Sequence, residues 1–213
     1  MRFSLLRRTL FAALLTALLV ACSSTSVISE WRDPGYHGAA LKKILIYVAA
    51  SEDATRRTAE DRLAASFPKG TQAVPSYTLF PEAKEINAQN EKAIAARLQK
   101  EGFDGALTAR LASVDKENVY MPPQTYLAPT MLGPYGSFYG YGTFAYASVY
   151  TVPGYTYQES KYMIETILYQ IPGGKMLWTM TTESVSPDSR QQLIKWVAGL
   201  IDDELKKQGF IAG

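Results

Sequence analysis

KYMIETILYQIPGGKMLWTMTTESV, residues 161–185, decides the fold. Two runs rich in β-branched and aromatic residues, Tyr162 to Ile171 and Lys175 to Val185, flank Pro172-Gly173-Gly174. Strand-like runs on either side of a short glycine turn make a β-hairpin. In the second run Met176, Trp178 and Met180 alternate with Lys175, Leu177 and Thr179, so one face of the hairpin is expected under helices. A helix follows, capped by Ser186 or Asp188 and running through Gln208. Its apolar stripe is Leu193, Ile194, Val197, Leu200, Ile201 and Leu205, and Gly209 stops it.

Upstream of the hairpin the pattern alternates between strands and helices. Lys43 to Ala49 is a continuous apolar run of strand length, which suits a central strand buried on both faces. Ser51 or Asp53 caps a helix that runs to about Phe67, with Leu63, Ala64 and Phe67 on one face, and Pro68-Lys69-Gly70 ends it. Thr71 to Leu79 reads as a second strand, and Pro75 assigns it to a sheet edge because proline has no N–H for a ladder. Asn87 or Asn90 opens another helix with Ile94, Ala95 and Leu98 inward, Arg97 outward and Gly102 at its end. Asp104 to Val114 is the third strand.

From Asn118 to Gln158 there is no Asp, Glu, Lys or Arg, and Pro, Gly and Tyr dominate. The order is therefore β-α-β-α-β, a Gly/Tyr-rich insertion at 118–158, then β-β-α. The fold class expected is α/β (α+β): one mixed sheet of about five strands with three packing helices, all within a single domain over 41–213. This order resembles the small α/β domains of periplasmic envelope proteins, namely the N-terminal domain of TolB and its relatives in CsgG and LpoB-type lipoproteins. The stretch ETILYQIPGGKMLWTMTTESVSP, followed by a helix, also resembles a class of uncharacterised bacterial lipoproteins. These likenesses imply a fold and a compartment, and they assign no functional residue.

The first residues address the compartment directly. Arg2, Arg7 and Arg8 precede an apolar run from Leu10 to Val20, shorter than the roughly 20 residues a membrane span takes. Leu19-Val20-Ala21-Cys22 then resembles the lipobox of bacterial lipoproteins. The resemblance implies that residues 1–21 are a lipoprotein signal peptide and that Cys22 carries diacylglyceryl and palmitate. It implies a membrane-lipid partner through Cys22. Ser23 and Ser24, in place of Asp, imply the periplasmic face of the outer membrane. Residues 22–40 read as a lipidated tether and a turn: Ser23 to Glu30 lacks an apolar period, and Pro34-Gly35 supplies the turn.

Charge and cysteine content exclude several classes. The chain has 22 basic and 20 acidic side chains. Loss of residues 1–21 removes three arginines and no acid, leaving 19 and 20 and a net charge near −1. Without a basic patch there is no electrostatic case for nucleic acid. Cys22 is the only cysteine, so one chain forms no disulfide and no thiolate metal site. His37 is the only histidine, beside Tyr36 and Gly38 in a loop, and no Gly-x-Ser-x-Gly string exists to present a nucleophile. Pro172-Gly173-Gly174-Lys175 lacks the spacing and the following helix of a phosphate loop.

Glu60, Asp61, Glu82, Glu85 and Glu91 fall where solvated acids are expected, and Asp202, Asp203 and Glu204 read as a polar helix face. Glu165 interrupts an apolar strand, and its expected role is an ion pair with a base such as Arg110; a ligand contact is the alternative. Arg56, Arg57, Arg62 and Arg110 are expected solvated or paired, with an anionic glycan or lipid as their alternative ligand. The expectation is a protein that is not an enzyme and has no cofactor or metal.

The insertion carries the candidate contact residues Tyr135, Phe138, Tyr139, Tyr141, Phe144, Tyr146, Tyr150, Tyr155 and Tyr157. Tyrosine gives large contact area at low entropic cost and keeps a hydroxyl for polar pairing. Three readings stand: a ribbon on the domain's own surface, a recognition face, or a membrane strand over Phe138 to Val152. The function expected is a non-enzymatic envelope lipoprotein that binds another envelope protein or a second copy of itself. The alternatives are a glycan or small-ligand module using the same aromatics, and an oligomeric membrane-inserting component.

Overall fold

The computed structural model describes residues 25–127 and 149–213. They form two compact units, one from residues up to 114 together with 162–213, the other from residues 115–161.

A six-stranded sheet of order β1-β8-β7-β4-β2-β3 gives the first unit four whole strands, and the parts of β4 and β7 up to 114 and from 162. Its strands are β1 (Thr25–Arg32), β2 (Lys43–Ala49), β3 (Gln72–Pro75), β4 (Gly105–Met121), β7 (Tyr155–Gln170) and β8 (Lys175–Val185). Helix α1 (Asp53–Ser66) lies between β2 and β3, α2 (Glu91–Lys100) before β4, and α3 (Arg190–Lys207) after β8. The sheet is mixed: β2 runs parallel to β3 and β4, and β1 antiparallel to β8. The expected mixed α+β fold with three helices is therefore present, with one strand more than expected.

Each face of the sheet has its own core. Ile44 and Ile46 of β2, Leu107, Leu168, Trp178 and Met180 pack against Leu63 of α1 and against Val197, Ile201 and Leu205 of α3. Leu45 points the other way, to Leu98 of α2, Leu79, Phe80 and Phe103. This alternation is why the Lys43–Ala49 run is apolar throughout: a strand covered on both sides has no face to spare for polar residues.

The strand beyond the expected five is β1, in residues read as tether. Thr25 opposes Ser184 and Arg32 opposes Trp178, with an irregularity between Val27 and Ser29. The segment is polar because it is an edge strand whose polar groups find partners on β8 and beyond. Thr25 Oγ1 and Ser184 Oγ share a buried hydrogen bond of 2.8 Å. Trp178 Nε1 donates to Glu30 Oε1 at 2.7 Å. An apolar count has no means of detecting such a strand.

Helix boundaries shift for similar local reasons. The α3 cap is Ser189, whose Oγ accepts from Gln192 N at 3.2 Å, rather than Ser186 or Asp188. At α1 the cap position falls on Glu52, and Asp53 is already helical. Gly102 and Gly209 end α2 and α3 as expected, both in left-handed geometry with φ of 78° and 74°. Strand β3 sits at the sheet edge as Pro75 implied, but stops there and gives way to a 3-10 turn, Ser76–Thr78.

In the second unit the insertion boundaries, 118 and 158, fall inside strands. β4 continues to Met121 and β7 starts at Tyr155. Between them β5 (Gln124–Leu127) and β6 (Val149–Val152) pair antiparallel, with Gln124 opposite Val152 and Leu127 opposite Val149. Lys161 Nζ donates to Glu117 Oε2 at 2.7 Å near the base of this ribbon. Among the described residues no helix is long and apolar enough to cross a membrane.

Candidate functional site

The expected contact residues divide by position. Tyr135, Phe138, Tyr139, Tyr141, Phe144 and Tyr146 lie outside the described residues, as does Cys22. Tyr150 sits in β6, paired through its backbone with Tyr126 of β5. Tyr155 and Tyr157 fall two apart on β7, so the pleat turns both to one face. They are 56% and 41% exposed, and their ring centroids stand 6.2 Å apart at 40°. Tyr120, at the end of β4, is 63% exposed. At Gly154 an added Cβ would lie 2.8 Å from the Tyr120 hydroxyl and 2.9 Å from the Met121 carbonyl oxygen. Only a glycine lets the chain pass so close before β7 begins.

The first unit holds a second feature, which no sequence motif announces: a cleft of about 760 Å³. Ala49, Ala50 and Ser51, at the C-terminal end of β2, form one side, and Pro187 to Arg190, leading into α3, form another. Much of its wall is aliphatic, including Val48, Leu63, Leu111, Ile164, Leu193 and Ile194, and Arg110 of β4 also lines it. Among the described residues, Tyr162 is the one aromatic side chain that lines it. In an open α/β sheet, the crevice beyond the carboxyl ends of parallel strands is where ligands commonly sit. β2 ends at the cleft and runs parallel to β4, whose Ala109 to Leu111 line it from mid-strand.

Glu52, Arg110 and Arg190, three of the charged groups at the cleft, are paired. Arg190 Nη1 lies 2.8 Å from Glu52 Oε2 and donates to Thr55 Oγ1 at 2.7 Å. The hydrogen bond from Arg190, then that from Thr55, holds the Glu52 carboxyl below the usual carboxylate range. Arg110 Nε donates to Glu165 Oε2 at 2.6 Å, the pairing expected for Glu165. His37 is exposed in the loop after β1. Among the described residues no group of three or more His, Cys, Asp or Glu is placed to hold a metal ion.

One expectation about charge is overturned. Glu60, expected in solvent, is fully buried. It sits on the inward side of α1 because Arg56, one turn earlier, is buried with it and neutralises it. The i,i+4 spacing of Arg56 and Glu60 was the signal available, but it is the same spacing as an exposed helix pair.

No protein-family model matches the chain, and no curated protein matches it. Solved structures similar to it include the PelC dodecamer from Paraburkholderia phytofirmans, at 12% identity and a TM-score of 0.38, covering 85% of this chain and 94% of that one. Lipoprotein GNA1162 from Neisseria meningitidis is similar at 13% identity and a TM-score of 0.39, covering 78% of this chain and 99% of that one.

Proposed function

We propose that this chain is a lipid-anchored envelope protein of the outer membrane, facing the periplasm, and that it acts by binding rather than by catalysis. The observation that carries the binding reading is the exposed pair Tyr155 and Tyr157 on β7. Two large rings held side by side by a strand lose little freedom on contact, and such rings are favoured at interfaces. The lipobox string ending at Cys22 supports the anchor, and Ser23-Ser24 the choice of membrane. The partner class is another envelope protein or a second copy of this chain.

A photo-reactive amino acid at position 157 in the full-length, membrane-bound protein tests this in living cells. The expected result is one discrete adduct, identified by mass as an envelope protein or as this chain. Tyr155→Ser in the same protein should reduce that adduct while leaving the thermal midpoint in place. Adducts with lipid alone, or none, would overturn the partner reading.

A further inference from the structure

We propose that the cleft between α1 and α3 takes one acyl chain of a bilayer phospholipid. This rests on the anchor reading of Cys22, and two independent observations lead to it: where the described chain begins, and what lines the cleft.

Thr25, the first described residue, is three residues after Cys22. Three residues span at most about 11 Å when fully extended. Thr25 itself is 7% exposed and hydrogen-bonded to Ser184, so this strand end does not pay out further chain without losing a buried contact. An acylated Cys22 thus holds this end of the sheet close to the headgroups. The slack a 19-residue tether would give is absent, because β1 has taken it up.

The cleft lies at that same end. Thr25 is the register partner of Ser184, two residues before the Ser186 turn, where φ is 42°. Pro187, Asp188, Ser189 and Arg190 then form part of the cleft rim. The next strand in the sheet, β7, contributes Tyr162 and Ile164 to the wall. Adjacent strands lie about 4.8 Å apart, so the wall begins roughly 10 Å across the sheet from Thr25. The face is also the same one. Ser184 alternates in step with Trp178, Met180 and Thr182, the first two of which pack against the α3 residues of the core.

The lining selects an aliphatic ligand. Val48, Ala59, Leu63, Ile164, Leu193 and Ile194 offer no hydrogen-bonding side chain, so sugar hydroxyls placed against them would lose water without gaining partners. Polar groups stand where the chain segments enter the helices, at Glu52, Thr55, Asp188 and Arg190. Once their mutual 2.8 Å pair opens, the Glu52 carboxylate and Arg190 guanidinium together match the ammonium and phosphate of a zwitterionic headgroup. An acyl chain along the walls with its headgroup at Glu52 and Arg190 satisfies both parts of the cleft.

The test uses the full-length lipidated protein in phosphatidylethanolamine vesicles whose acyl chain ends in a diazirine. Irradiation is expected to label peptides containing Ile164 and Ile194. Leu111→Glu, at a wall residue 49% exposed, should cut that labelling several-fold without shifting the thermal midpoint. Labelling confined to β1 or spread over the surface would overturn the proposal. So would labelling of the cleft by a diazirine fatty acid carried on Cys22 itself while the vesicle lipid gives none. The mass of the N-terminal peptide separates the two readings. An unacylated Cys22 sinks the anchor, whereas an acylated Cys22 with an unlabelled cleft sinks the lipid site alone.

Discussion

Arg56 and Glu60 face each other inside the first unit, Nε to Oε1 at 3.1 Å, with neither side chain exposed to solvent. Glu60 Oε1 also accepts from Ser76 Oγ at 2.7 Å and Val48 N at 3.1 Å, and Oε2 accepts from Tyr77 N at 3.0 Å. Arg56 donates to the Phe80 carbonyl oxygen at 2.7 Å and to Ser76 Oγ at 3.3 Å. The pair thereby ties α1 to the end of β2 and to the turn that replaces the second half of the expected strand. A buried pair of this kind is costly to break from one side, because the remaining charge is left without compensation. Glu60→Ala is expected to cost about 3–5 kcal/mol in urea unfolding. Arg56→Met combined with Glu60→Leu should cost less than the sum of the two single changes. A Glu60→Ala protein as stable as the parent would remove the pair from the list of fold determinants.

The hydrogen bond from Trp178 to Glu30 makes β1 part of the fold rather than an appendage. Trp178 is fully buried, and its indole N–H has Glu30 Oε1 as its partner at 2.7 Å. Glu30→Ala should cost about 1–3 kcal/mol, the penalty for stranding a buried donor. Glu30→Gln keeps an oxygen in reach and should recover most of that loss. Tryptophan emission during unfolding reads both, and equal midpoints for the alanine and glutamine variants would contradict the assignment.

These two contacts show where the sequence was legible. Elements held by apolar burial were readable: the hairpin, the Lys43–Ala49 strand and the stripe of α3 all follow from period and turn residues. The Glu165–Arg110 pair is legible because a lone acid in an apolar strand asks for a base. Elements held by polar contacts over long sequence separation were not. Glu30 and Trp178 are 148 residues apart, and Thr25 and Ser184 are 159 apart, so nothing local marks Thr25–Arg32 as a strand. The cleft was hidden for a related reason. It is assembled from the end of β2, the middles of β4 and β7, the segment Pro187 to Arg190 and the facing sides of α1 and α3, with no motif in any one of them. Composition alone marks Tyr155 and Tyr157, and the alternation of β7 is what brings their rings together.

Acid should weaken the junction between β1 and the hairpin. Asp33 forms an ion pair with Lys175 and accepts from Gly35 N at 3.0 Å, while its own N–H donates to the Leu177 carbonyl oxygen at 2.8 Å. The Lys175 hydrogen bond, then the Gly35 N–H, holds its carboxyl below its ordinary value of 3.8. Folded protein therefore binds this proton less readily than unfolded chain. The stabilisation is present in full above the ordinary carboxylate value and disappears as pH falls through the depressed one. Asp33→Asn should lower the thermal midpoint at neutral pH and flatten its decline in acid. Parallel curves for the two proteins across the acid range would show that Asp33 contributes no pH dependence.

Two glycines at opposite ends of one argument give changes of opposite sign. Gly199 lies within α3, and a Cβ built there meets nothing within 4 Å. Glycine in a helix interior costs about 0.5–1 kcal/mol relative to alanine, through the freedom it loses on folding. Gly199→Ala should therefore raise stability by about that amount. Gly209 also has open space around it, but its φ is +74°. Alanine in the left-handed region pays roughly 1–2 kcal/mol from Cβ crowding against the backbone. That strain falls where it matters, because Phe210 N donates to the Leu205 carbonyl oxygen at 2.9 Å and Leu41 N donates to the Phe210 carbonyl oxygen at 2.8 Å. Phe210 is fully buried, so a shifted turn also displaces a core ring. Gly209→Ala should lower the urea midpoint while Gly199→Ala raises it, with the slope of the transition unchanged in both. The same sign for the two substitutions would mean that side-chain space, rather than backbone conformation, governs this helix end.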